Sequence, residues 1–83
     1  MKSVVFYSSA TCANCRMMFP WVKALVPDVL YRQLDGTEPI VTTRNIMAMP
    51  TIMVMDGEDE IARLGGGNSQ ARVKQFLDTY YFN

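Results

Sequence analysis

The chain has 83 residues, with 8 basic and 8 acidic side chains, no histidine and 49% apolar residues. That length suits one small domain over 1–83 with a single modest core. Balanced charge lacks the electrostatic footprint of a nucleic-acid or anionic-membrane binder, and no apolar run nears the roughly 20 residues that span a bilayer.

Lys2 to Tyr7 is a short β-branched and aromatic run that reads as a buried strand. It has neither the apolar stretch nor the cleavage site of a signal peptide, so a cytoplasmic location is expected. Ser8-Ser9-Ala10-Thr11 is a polar loop able to supply helix caps. From Cys12 to about Leu25, Met17, Met18, Trp21, Val22 and Leu25 recur at helical spacing. Pro20 interrupts that helix by removing one backbone donor, and Pro27-Asp28 stops it.

Val29 to Leu34 reads as a second strand, and Asp35-Gly36-Thr37 as a turn. Between Glu38 and Asn45, Pro39 suits a first helical turn while Ile40, Val41, Thr42 and Thr43 are poor helix formers. A short helix is expected there. Thr51 to Met55 is a strand, Asp56-Gly57 opens a hairpin, and Glu60 to Leu64 returns as its partner. After Gly65-Gly66-Gly67, Asn68 or Ser69 caps a last helix that buries Val73, Phe76, Leu77 and Tyr80. The order β-α-β-α-β-β-α implies an α/β fold with a four-stranded mixed sheet flanked by helices on both faces. Met17, Met18, Met47, Met53 and Met55 read as core filler. Asp56, Glu58, Asp59 and Glu60 read as a solvated hairpin tip.

Cys12-Ala13-Asn14-Cys15 holds the only two cysteines, at a helix start just after a strand. Such a pair can open and close a small disulfide ring, which points to dithiol–disulfide exchange. Helix N-terminal amides stabilise a thiolate at Cys12 and lower its pKa from about 8.5 toward neutrality. Cys15, one turn on, is placed to resolve a mixed disulfide. Two other readings compete. A structural ring this small stabilises by only about 2 kcal/mol in the chain-entropy account. Zinc needs about four ligands, and two cysteines without histidine do not supply them.

These motifs, in this order, resemble thioredoxin, in the small form shared with glutaredoxins that lacks an extra N-terminal strand and helix. Cys12-x-x-Cys15 follows the first strand, and Pro20 lies where the thioredoxin helix has its kinking proline. Met49-Pro50-Thr51 before an apolar strand looks like the family's cis-proline segment. Gly66 and the helix from Ser69 to Asp78 track the family's C-terminus. There are departures. Thr11 replaces the usual tryptophan and Ala13-Asn14 the usual Gly-Pro. The family's buried acid falls on Phe6, and its lysine partner near Tyr31. A glutaredoxin would carry an aspartate shortly after paired glycines, and Gly65-Gly66-Gly67-Asn68-Ser69 has none.

The resemblance implies a protein-disulfide oxidoreductase with Cys12 as nucleophile and Cys15 as resolver. It places Thr11, Met49, Pro50 and Gly66 beside the substrate and requires no cofactor or metal. Disulfide-bearing proteins would be the substrates of a monomer recycled by a flavin-containing reductase, with ribonucleotide reductase among the targets. A non-catalytic interaction subunit and a glutathione-dependent, glutaredoxin-like reductase are the alternatives.

Overall fold

In the computed structural model, which describes residues 1–38 and 44–83, the first strand feeds two separate apolar clusters. Successive side chains of β1 (Lys2–Ser8) point to opposite faces. Val4 and Phe6 join one cluster, and Val5 and Tyr7 the other. β3 (Thr51–Asp56) repeats the division, with Ile52 and Val54 on the first side and Met53 and Met55 on the second. Burial on both faces explains why these strands are continuous apolar runs rather than alternating ones.

Sheet order is β2-β1-β3-β4. β2 (Leu30–Gln33) runs parallel to β1, as a strand reached by a helical crossover must. β3 and β4 (Asp59–Gly65) are antiparallel and turn at Gly57. The mixed sheet expected from the sequence is therefore present. β2 is an edge strand, with all four residues exposed.

Both described helices cover one face. α1 (Ala13–Leu25) contributes Cys15, Met18 and Val22, spaced by three and four residues, to the larger cluster. α2 (Gln70–Tyr80) adds Val73, Phe76 and Leu77 beside it. Ser69 is the N-cap of α2, its hydroxyl accepting the Arg72 N–H at 3.1 Å. α1 is continuous through Pro20. On the opposite face, Leu34 and Ile46 pack on the smaller cluster. The helix expected over Glu38–Asn45 falls largely on 39–43, outside the described residues. Arg44 and Asn45 form a turn with positive φ.

Three expectations about burial change. Met17 is 49% exposed because it lies on α1 beside, not among, the positions that meet the sheet. Met47 is 86% exposed in the loop before β3. Tyr80 is exposed at the last turn of α2, one turn past the buried Phe76 and Leu77, with its ring 5.3 Å from that of Phe76. Met18, Met53 and Met55 are core, and Trp21 and Leu25 pack partly buried against it.

Truncating Met53, fully buried in the smaller cluster, is expected to cost about 2–5 kcal/mol. Met17→Ala should stay within about 0.5 kcal/mol, as an exposed helix position. Urea unfolding of both variants separates these outcomes; equal losses would contradict the assignment of faces.

Candidate active site

Pairing of Tyr7 with Thr51 sets the ends of β1 and β3 side by side. The chain leaving β1 and the chain reaching β3 therefore meet at one end of the sheet, above its two central strands. Cys12 is the N-cap of α1, with extended φ and ψ of −91° and 106°. Its sulfur is bonded to that of Cys15 at 2.22 Å, and the Cα atoms are 5.2 Å apart. Cys12 Sγ also accepts the Cys15 N–H at 3.1 Å. That donor is one of the amides a helix start leaves without an intrahelical partner.

The two sulfurs have unequal surroundings. Cys15 is 2% exposed and belongs to the larger cluster, whereas Cys12 is only partly buried at its rim. Phe6, Phe19 and Tyr31 form an aromatic group on the Cys15 side. Phe19 lies edge-on to both neighbours, at 5.2 Å from Phe6 and 4.9 Å from Tyr31. A cleft at Cys15 is lined by Arg16, Phe19, Pro20 and Tyr31, and no carboxylate is among these residues.

The other sequence-selected residues gather on the Cys12 side. The Met49–Pro50 peptide bond is cis. Met49 packs against the same cluster as Cys12, and Thr11 and Met49 line a common cleft of about 580 Å³ that runs toward Leu34 and Ile46. Gly66 donates its N–H to the Pro50 carbonyl at 2.8 Å and has φ +80°, which a side chain would disfavour. The Thr51 hydroxyl reaches back to the Ala48 carbonyl at 2.7 Å. Thr11, Cys12, Met49, Pro50 and Gly66 thus occupy one end of the molecule.

A family model described as thioredoxin matches residues 1–79. The chain belongs to the thioredoxin family. It is 32% identical over 81 residues to thioredoxin H5 of Oryza sativa subsp. japonica, covering 90% of this chain and 60% of that protein. Thioredoxin H2-1 of the same plant is 29% identical over 76 residues, covering 86% of this chain and 55% of the relative. The chain therefore spans little more than half the length of these relatives. Among solved structures, oxidised thioredoxin O2 of Arabidopsis thaliana superposes with a TM-score of 0.69 at 25% identity, over 98% of this chain and 76% of that one. The thioredoxin fold and the Cys12–Cys15 disulfide both agree with the sequence reading.

Two contacts were not legible in the sequence. Glu60 and Arg63, three apart on a strand, would ordinarily face opposite ways. A bulge between Val54 and Met55 shifts the register, so Glu60 opposes Met55 and Arg63 opposes Met53 on one face. Arg63 grips the Glu60 carboxylate in a fork, Nε to Oε2 at 2.7 Å and Nη2 to Oε1 at 2.6 Å. The same guanidinium donates to the carbonyls of Arg44 (2.8 Å) and Asn45 (3.3 Å), tying the turn ahead of Met47–Met49 to β4. The second contact places the Asn14 side chain against Gly67, which leaves no room for a Cβ. A third consecutive glycine was the only hint.

The hydrogen bond from Arg63 holds the Glu60 carboxyl below its usual range, partial burial opposes this, and the charges of Arg63 and Arg44 add to the lowering. A lowered folded-state pKa gives stability that is present above the unfolded value, about 4.3, and is lost as pH falls through the folded one. Glu60→Gln should therefore cost about 0.2–1 kcal/mol at pH 7 and less at an acid pH, where the folded carboxyl becomes protonated. Urea unfolding at the two pH values checks this, and an unchanged gap at low pH would remove the ion pair as the cause.

Proposed function

We propose that the protein is a thiol–disulfide oxidoreductase in which Cys12 attacks and Cys15 resolves. The difference in exposure between the sulfurs carries this reading. An incoming disulfide can meet Cys12 at the rim, while Cys15 is screened from a partner of that size. In the reduced protein, the Cys12 thiolate attacks one sulfur of a target disulfide and expels the other as a thiolate, leaving a mixed disulfide. The Cys15 N–H, which already donates to Cys12 Sγ, supports negative charge on that sulfur. Cys15 then gives up its proton and attacks Cys12 Sγ, which closes the ring and releases the target's second thiolate. Two electrons pass to the target, and two protons complete its thiols.

Resolution differs from the family's usual route, because Phe6 stands where the acid would be. With aromatic rings on that side of Cys15, water reaching the Arg16–Tyr31 cleft is the proposed proton acceptor. Thr11, Met49, Pro50 and Gly66 are proposed to flank the bound target. Disulfide-bearing proteins are the proposed substrates, and family membership supports recycling by a flavin-containing reductase.

Insulin reduction with dithiothreitol tests the reading. The protein should accelerate turnover, and Cys12→Ser should return the rate to that of dithiothreitol alone. Retained turnover in that variant would instead favour a non-catalytic interaction subunit. Cys15→Ser should accumulate a mixed disulfide through Cys12, visible by mass and released by excess dithiothreitol. Recovery of only free protein would count against the assigned order of attack.

A further inference from the structure

Arg44 and Asn45 both have positive φ, 55° and 59°. Asparagine enters that region readily and arginine rarely, so two such residues in succession persist only where their surroundings hold them. The hold comes from the last strand of the sheet. Arg63 of β4 makes four hydrogen bonds, two to the Glu60 carboxylate and one each to the carbonyls of Arg44 and Asn45. Arg44 returns the contact, its Nη2 donating at 3.2 Å to the Glu58 carbonyl in the turn between β3 and β4.

That turn opens one wall of the cleft that Thr11 lines beside Cys12. Asn45, Ile46, Met47 and Met49 supply the wall. Its far end is fixed, because the Pro50 carbonyl accepts the Gly66 N–H and the Thr51 hydroxyl holds the Ala48 carbonyl. Ile46 packs on the smaller cluster. Met47, between these anchors, stands out in solvent. The course of the wall is therefore set by where the chain leaves the Arg63 clamp. Glu60 orients that clamp: with Nε and Nη2 forked onto the carboxylate, the guanidinium plane is fixed and its other N–H groups point at the turn.

We propose that Arg63 is a positioning residue for target binding. Oriented by Glu60, it keeps the Asn45–Met49 wall formed before a target arrives. This rests on the reading that the cleft flanks a bound target disulfide. Without the clamp the wall is formed in only a fraction of molecules, and apparent affinity falls by that fraction. Exchange at the sulfurs is untouched. Arg63 opposes Met53, on the face of the smaller cluster, whereas Cys12 and Cys15 belong to the larger cluster on the other face.

Arg63→Ala should raise KM for insulin about three- to tenfold in the dithiothreitol assay with kcat unchanged, as when the wall is formed in about a tenth to a third of molecules. Reduction of hydroxyethyl disulfide, small and uncharged, should keep the wild-type rate, since it needs no wall. Amide hydrogen exchange should quicken from Asn45 to Met49 and stay slow in β1 and β3. Arg63→Lys should resemble Arg63→Ala, because an ammonium keeps the charge but cannot fork the carboxylate and reach the turn at once. Glu60→Gln leaves Arg63 one carbonyl acceptor, so its KM should fall between wild type and Arg63→Ala.

Unchanged KM or unchanged exchange in Arg63→Ala overturns the proposal. Full recovery in Arg63→Lys does so too, because charge would then be the cause. An equal loss with hydroxyethyl disulfide also overturns it, since the effect would lie in the cysteine pair or in folding. If Arg63→Ala does not fold, Glu60→Gln carries the same comparison of the two substrates. Wild-type protein that reduces hydroxyethyl disulfide but not insulin would remove this inference and leave the cysteine chemistry standing. Failure of the wild type with both would instead overturn the reading on which it rests.

Discussion

The antiparallel register between β1 and β3 is the constraint on which the site depends. Phe6 opposes Ile52 and Tyr7 opposes Thr51, so both strands reach the same end of the sheet in step. Strand side chains repeat every two residues, and a slip of one would turn the side chains of the slipped strand, Phe6 or Ile52 among them, out of the larger cluster. The same slip would move the cysteine loop past the Pro50 segment. Core and site are therefore specified together, and burial of Val4, Phe6, Ile52 and Val54 is what holds the register.

Three contacts then gather chain segments at that end, each through a different interaction. A hydrogen bond joins Gly66 to Pro50. Contact with the core cluster seats Met49 beside Cys12. Arg63 anchors the turn leading to Met47 from a strand on the sheet's far edge. The bonds are individually modest, but they tie the site to both the sheet interior and its rim. Among the described residues no buried side-chain polar atom lacks a partner.

Much of this was legible in the residues themselves. Strong local chemistry marked Asn68 or Ser69 as a cap, the runs at Lys2–Tyr7 and Thr51–Met55 as strands, the first of them buried, and Cys12-x-x-Cys15 as a redox pair at a helix start. Tertiary placement was harder to read. Helical spacing alone made Met17 look as apolar-facing as Met18, but the sheet touches a narrow stripe of α1. Met47 had no periodic context to judge by. The Glu60–Arg63 fork depends on a bulge, and a single misplaced residue in a strand leaves no mark in composition. Asn14 and Gly67 are far apart in sequence, and each looks ordinary alone.

Membership of Cys15 in the larger cluster has a thermodynamic consequence. Oxidation and folding form a closed cycle, so any difference in unfolding free energy between the two redox forms reappears in the equilibrium of the native cysteine pair. A sulfur that is 2% exposed among Met18, Val22 and Phe6 is packed as part of the core. Changes far from Cys12 that relax this packing more in one form than in the other must then retune the ring's electron affinity. The potential of the pair is thus a property of the whole helix-covered face, and repacking that interior is a route to altering it without touching either cysteine.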